Sequence, residues 1–193
     1  MPSELFQHIN YDKAYRANRM NGAQWVLAHP ETFPELLDYC FEEAQSDLSH
    51  KACWVLEFVC LEKLELLYPH LDNFFEHMPL VKKDSSVRPL ANLCEKMCIR
   101  YYKKFDPILR EALTETHKTI MTECCFDWMI SDQKVACQAR AMTCLYYLGT
   151  EHEWIHPELQ QIIELNIHQG SAGYKNRGMK TIEAIKKFQS SFR

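Results

Sequence analysis

Apolar residues recur at intervals of three and four positions along most of the chain. The spacing is clearest in HKACWVLEFVCLEKLELL (50–67), QARAMTCLYYL (138–148) and PELQQIIELNI (157–167). Intervals of this size place the apolar side chains on one face of an α-helix, and no segment shows the strict alternation of a half-buried strand. The pattern therefore predicts an all-α protein.

Prolines stand where one helical pattern ends and the next begins. The first turn of a helix tolerates proline, because the N–H that proline lacks would have no helical partner there. The apolar periods between these boundaries predict about nine helices in antiparallel pairs, with an extra short helix near residues 107–113. The prolines at the boundaries are Pro30, Pro34, Pro69, Pro107 and Pro157.

A short pattern recurs at the head of several segments. An Asp is followed three positions later by Val or His, and seven positions later by Ala or Trp. The Asp can cap a helix, and positions three and seven share one helical face. We therefore expect the second helices of helical hairpins to begin near residues 49, 86, 133 and 171. The copies begin at Asp47, Asp84 and Asp132, with weaker copies at Ser171 and Asp12.

The copy at Asp84 has an unusual start, DSSVRPLANLCEK (84–96). We expect Ser86 to cap this helix, because its hydroxyl can accept hydrogen bonds from the first free N–H groups. Pro89 would then occupy the third helical position, where its missing N–H is not needed.

The same copy, Asp-x-x-Val-Arg-x-x-Ala-x-Leu from Asp84 to Leu93, resembles the second helix of a HEAT repeat. In the other copies Lys51 and Lys175 replace the arginine, and Ala136 carries no charge. The resemblance implies one HEAT-like (armadillo-type) domain over residues 1–193. It also implies a right-handed α-α superhelix, or solenoid, whose second helices line a concave surface suited to holding a partner.

The composition of the 193-residue chain is that of an ordinary globular protein with a net charge of −4. Its apolar runs are too short for a membrane helix, and its amino terminus does not resemble a secretory signal. The nine cysteines are odd in number and contain no Cys-x-x-Cys pair. We therefore expect a cytoplasmic protein without membrane association, whose cysteines act as small apolar residues and form neither disulfides nor a metal site.

Positions four, eight and twelve after each start of the repeated pattern lie on one face of the second helix. This predicted stripe begins with Arg16, Gln24 and Lys51, continues through the six residues that we predict as the binding site, and includes Glu183. Its mostly basic character predicts an anionic partner, such as an acidic peptide segment or a phosphate-bearing ligand. An alternative is that Arg88 pairs with the Asp of a neighbouring repeat and stabilises the stack. The six residues are Arg88, Asn92, Lys96, Arg140, Lys175 and Lys187.

The sequence favours a non-catalytic binding module or scaffold that requires no cofactor and holds an unidentified protein or peptide. It contains no Gly-rich phosphate loop, no Gly-x-Ser-x-Gly elbow and no His-Glu-x-x-His pair. His152 and His156 have the spacing of metal ligands on a helix, but Pro157 disfavours the helical conformation at His156. We expect neither a catalytic centre nor a metal site.

One enzymatic alternative is a DNA glycosylase. Some glycosylases that remove alkylated bases resemble HEAT-like repeats and use tryptophans and an aspartate in a basic cleft. This chain has Trp25, Trp54, Trp128 and Trp154, but its acidic net charge makes nucleic acid an unexpected partner. We expect Trp54 and Trp128 to fill space in the core.

A second alternative is a lyase. The chain resembles short bacterial helical-repeat proteins that carry the name adenylosuccinate lyase, and GSAGYKNRG (170–178) is similar to the mobile loop of that enzyme. The Met-Pro pair of the loop is missing here, and members of the lyase superfamily are more than twice as long. We therefore expect no cleavage of adenylosuccinate.

Overall fold

The computed structural model describes residues 3–13, 15–42 and 46–191, and these ranges form eleven α-helices and no strand. The all-α prediction is therefore confirmed. The predicted number of helices was too low because short helices, such as the first and fifth, hold too few apolar positions to show a period. In chain order the helices are α1 (Glu4–Ile9), α2 (Arg16–Ala28), α3 (Phe33–Phe41), α4 (Asp47–Glu62), α5 (Leu71–His77), α6 (Asp84–Cys98), α7 (Pro107–Ala112), α8 (Glu115–Ile130), α9 (Val135–Leu148), α10 (Ile155–Asn166) and α11 (Ala172–Ser190).

The predicted second helices correspond to α4, α6, α9 and α11. Each begins within two residues of its expected position, and α7 occupies the place of the expected short helix. Serines provide two of the caps: the hydroxyl of Ser46 accepts from the backbone N–H of Ser49, and that of Ser171 accepts from Tyr174. The repeated pattern therefore marks real helix starts.

Ser86 does not cap α6, contrary to expectation. The helix begins two residues earlier, and the backbone N–H of Ser86 donates to the carbonyl of Lys83 at 2.8 Å. Pro89 consequently lies in the second turn, where its missing N–H leaves the carbonyl of Ser85 without a helical partner. The indole Nε1 of Trp54 donates to this carbonyl at 2.7 Å. A tryptophan of α4 thus replaces the hydrogen bond that the proline removes from α6.

The helices form two compact units, each with its own apolar core. The first comprises Met1–Leu93 with Glu111–Leu113, and the second comprises Cys94–Arg110 with Thr114–Arg193. In the first unit α2 and α3 pack against α4, and in the second unit α8, α10 and α11 pack against α9. The single domain and the superhelical arrangement of the helix pairs stay predictions.

All nine cysteines are buried, as expected, and their thiols are free in this structure. Burial raises the pKa of the Cys125 thiol to about 12, because the thiolate would lose its hydration in the apolar core. Burial likewise raises the pKa of Cys40, Cys60, Cys94 and Cys144, and these thiols pack as small apolar groups. Within the described ranges, no helix combines the length and the apolar character needed to cross a membrane.

Candidate anion-binding surface

Four cationic side chains of the first unit lie against aromatic rings. Arg16 and Arg19 project from α2, Lys51 from α4 and Arg88 from α6. Each of these side chains has its charged group within 6 Å of the centroid of a tyrosine, tryptophan or phenylalanine ring. We define the basic-aromatic surface as Tyr11, Arg16, Arg19, Lys51, Trp54, Phe58 and Arg88.

Trp54 lies at the centre of this surface. The guanidinium carbon of Arg19 is 3.1 Å from the centroid of the indole ring, and that of Arg88 is 4.5 Å away. The ring of His50 approaches the indole edge-on at 5.7 Å. Trp54 is half-buried and is not the core residue that we predicted, whereas Trp128 is buried as predicted.

Helical spacing brings these side chains to one face of each helix. Lys51, Trp54 and Phe58 are three and four residues apart on α4, so they follow one another along a single face. Arg16 and Arg19 have the same relationship on α2, which packs against α4. At the edge of the surface, Lys51 Nζ lies 5.6 Å from the centroid of the Tyr11 ring.

Positive charge exceeds negative charge on the basic-aromatic surface. The carboxylate of Glu57 acts on Arg19 from nearby, and its Oε1 also accepts a hydrogen bond of 2.6 Å from Asn92 Nδ2. Burial lowers the pKa of Arg19, and the nearby charge of Arg88 lowers it further. Two guanidinium groups beside one ring repel each other, and a bound anion would relieve that repulsion.

Arg88 is not paired with an aspartate, so the structure does not support the alternative interpretation of this residue. Among the described residues, no carboxylate lies within ion-pair distance of Arg88 or Arg16. Asp47, the aspartate of the preceding repeat copy, instead pairs with Lys83 at 3.2 Å. The guanidinium of Arg88 is therefore available to a partner.

Asn92, which with Arg88 is one of the two predicted binding residues in the first unit, has a supporting role. Its side chain is buried, and its amide nitrogen holds the carboxylate of Glu57. Its Oδ1 has no hydrogen-bond partner within the described part of the chain. Asn92 thus holds the half-buried Glu57 and exposes only 5% of its own surface.

The other four predicted residues belong to the second unit. Lys96 is half-buried, and Lys175 and Lys187 are exposed on α11. Arg140 Nη1 lies 3.5 Å from Glu95 Oε2, so its charge already has a partner. Reversing the charge of Arg140 would therefore disturb this ion pair as well as any ligand. The prediction that these four residues share one stripe with Arg88 stays a prediction.

Arg19 is not among the residues predicted from the sequence, and Trp54 was predicted to lie in the core, although one sequence signal connects the two. Both occupy the seventh position after the start of their copies, at Asp12 and Asp47, where the copy at Asp84 has Ala91. Residues at this position face the neighbouring helix, and an arginine and a tryptophan there are too large for a close helix contact. Two large residues at a small-residue position could therefore have indicated the cation-aromatic pair.

The two histidines with metal-ligand spacing do not meet. His152 Nε2 lies 3.5 Å from Glu115 Oε2, while His156 Nε2 donates to the carbonyl of Tyr146 at 2.8 Å. In residues 3–13, 15–42 and 46–191, no three His, Cys, Asp or Glu side chains are arranged to hold a metal ion.

Comparison of the chain with protein-family models, with curated proteins and with solved structures finds no match. The resemblance to HEAT repeats therefore stays a prediction from the repeated sequence pattern.

Proposed function

We propose that this protein is a non-catalytic, HEAT-like binding module whose basic-aromatic surface holds an acidic segment of a protein partner. The observation that carries the proposal is the placement of Arg19 and Arg88 beside the half-buried ring of Trp54. Arg16 and Lys51 add two further positive charges to the same unit. Although the net charge of the protein is −4, these four cationic side chains belong to one surface.

Carboxylates suit this surface because a guanidinium group can donate two parallel hydrogen bonds to one carboxylate. A hydrogen bond to a charged group contributes about 1.5–3 kcal/mol. The rings of Trp54 and Phe58 provide apolar area for the aliphatic parts of a peptide, and tryptophan and arginine are frequent in the energetic centres of interfaces. Arginine side chains bind anions without supplying a nucleophile or a general base.

Nucleic acid is the competing partner, because a tryptophan between arginines would also suit a phosphate backbone. The position of Arg19, 3.1 Å from the indole centroid, argues against stacking of a base on that side of the ring. The acidic net charge disfavours a long polyanion. These observations favour a short acidic segment.

The test is fluorescence anisotropy with three labelled probes: a decapeptide of mixed Asp and Glu, its Asn and Gln counterpart, and a single-stranded oligonucleotide. We expect the acidic peptide to bind most tightly and its affinity to fall with added salt. Arg88→Gln should weaken its binding about tenfold, which corresponds to roughly 1.4 kcal/mol. Lys82→Gln removes the same charge from an exposed lysine outside the surface and serves as the matched control.

Arg88→Lys distinguishes the effect of charge from that of hydrogen-bond geometry. The lysine keeps the positive charge but lacks the planar guanidinium group that can donate two parallel hydrogen bonds. Its affinity should lie between those of the wild type and Arg88→Gln. Equal binding of the acidic and neutral peptides, or equal losses in Arg88→Gln and Lys82→Gln, would contradict the proposal. Tighter binding of the oligonucleotide would indicate that the partner is a nucleic acid and not an acidic protein segment.

A further inference from the structure

A buried lysine anchors a polar cluster in the second unit. The side chain of Lys118 is only 3% exposed. Its Nζ donates to Tyr101 OH at 2.8 Å, to Glu115 Oε1 at 2.9 Å and to Glu151 Oε2 at 2.7 Å, so that all three donors are satisfied. Burial opposes the charge of Lys118, but these hydrogen bonds outweigh it and raise the pKa of the lysine.

A π-helical turn, Ile99–Lys103, supplies two tyrosines to this cluster. Tyr101 accepts from Lys118, and the next residue, Tyr102, donates to Glu151 Oε2 at 2.8 Å. Tyr101 therefore contacts the ammonium of Lys118, and Tyr102 contacts the carboxylate to which that ammonium is bound. Single π turns of this kind occur frequently at functional sites.

The cluster holds Glu151 at the edge of a pocket. Lys118 and Tyr102 both bind Oε2, whereas no described residue donates a hydrogen bond to Oε1. Glu151 lines a pocket of about 460 Å³, together with Gly149, Glu153, His156 and Phe188. The pocket lining therefore contains two exposed carboxylates, of which Glu151 is held by two hydrogen bonds.

Two further residues of the pocket lining, His156 and Phe188, are aromatic. His156 is 3% exposed, and its Nε2 must carry the proton because its partner, the carbonyl of Tyr146, can only accept. In the neutral ring this leaves Nδ1 as an acceptor. The ring of Phe188 meets the His156 ring at 84° and 5.4 Å, so two aromatic surfaces stand at right angles. A Cβ atom at Gly149 would overlap the His156 ring, so the glycine leaves room for this ring.

From this geometry we propose that the pocket binds an organic cation, an ammonium or guanidinium group on a short aliphatic chain. Glu151 and Glu153 attract a positive charge, and an aromatic face such as that of Phe188 binds cations through its quadrupole. The volume suits a small ligand or one long side chain. This inference is independent of the proposed function, since it concerns the other unit and a ligand of the opposite charge.

The test uses ligand-observed NMR titrations with butylammonium and butylguanidinium, and with neutral pentanamide as the uncharged probe. We expect saturable binding of the cations and at least tenfold weaker binding of the amide. Glu153→Gln and Phe188→Leu should each weaken binding about threefold, and the double variant roughly tenfold, as expected for exposed charge pairs and cation-aromatic contacts. Glu158→Gln, an exposed carboxylate on α10 outside the lining, is the matched control.

Circular dichroism and the melting temperature of each variant establish that it is folded. Capped lysine and arginine, titrated in parallel, distinguish a peptide side chain from a free amine: tighter binding of the capped residues indicates a peptide, and weaker binding indicates a small amine. Three results would overturn the proposal: equal binding of pentanamide, no saturation by any cation at about 10 mM, or equal effects of Glu153→Gln and Glu158→Gln.

Discussion

The indole N–H of Trp54 donates a hydrogen bond of 2.7 Å to the backbone carbonyl of Ser85, the carbonyl that Pro89 leaves without its helical partner. This hydrogen bond joins α4 to α6 within the first unit. It also fixes the orientation of the ring beside which Arg19 and Arg88 lie. The hydrogen bond that compensates for Pro89 in α6 therefore also orients the central ring of the basic-aromatic surface.

Trp54→Phe should destabilise the protein because it leaves the Ser85 carbonyl unpaired in a partly buried place. We expect a loss of about 1–2 kcal/mol, measured by urea unfolding. Pro89→Ala provides the test of the cause, since the backbone N–H of the new alanine can form the missing helical bond. Trp54→Phe should cost about 1 kcal/mol less when it is combined with Pro89→Ala. Equal costs in the two backgrounds would show that the hydrogen bond does not contribute.

Lys118→Met should strongly destabilise the second unit. Methionine fills a similar volume but leaves the buried Tyr101 hydroxyl and the Glu151 carboxylate, whose side chain is 34% exposed, without the ammonium that they share. Leaving a polar group without the partner that it has in the folded protein costs about 1–3 kcal/mol. Glu115→Gln, in which the altered side chain is 70% exposed, should cost less than about 1 kcal/mol. Urea unfolding compares the two variants, and similar losses would contradict the central role of Lys118.

The stability of the protein should fall as the pH rises above about 9, because buried thiols with a raised pKa, such as that of Cys125, stay protonated in the folded chain and ionise in the unfolded chain. The folded chain then binds more protons, so alkali favours unfolding. The pKa of Cys125 is about 12 in the folded protein, against an ordinary value of 9.0. Its contribution is full below pH 9 and is lost as the pH rises towards 12.

Cys125→Ala tests this assignment. The slope of unfolding free energy against pH, measured in urea with a reducing agent between pH 9 and 11, should be smaller by about 1.4 kcal/mol per pH unit in the variant. The variant will be less stable at neutral pH, but only the slope is diagnostic. An unchanged slope would show that other groups cause the loss of stability at alkaline pH.

Gly149→Ala should displace the His156 ring, because the added methyl group would occupy its place. We expect a loss of about 1–3 kcal/mol together with the loss of the hydrogen bond to Tyr146. NMR can follow the bond through the exchange of the His156 Nε2 proton with water. Gly173→Ala, where the new Cβ would meet Val135 at 3.3 Å and Ser171 at 3.8 Å, is the control and should change stability by less than about 1 kcal/mol.

The sequence by itself determined the helical class, and the repeated pattern located the starts of α4, α6, α9 and α11 to within two residues. It also identified Arg88 as a surface cation. These features depend on local spacing, because a periodicity of 3.6 residues defines the faces of each helix whatever lies next to it.

Only the tertiary structure decided which side chains of different helices meet. Trp54 and Ser85 lie 31 positions apart, and nothing in the local pattern shows that the indole satisfies the carbonyl that a proline exposes. Similarly, packing within the second unit gave Arg140 a partner in Glu95, whereas the sequence left it as a free cation. Contacts of this kind depend on the distance and angle between packed helices, which the period of a single helix does not encode.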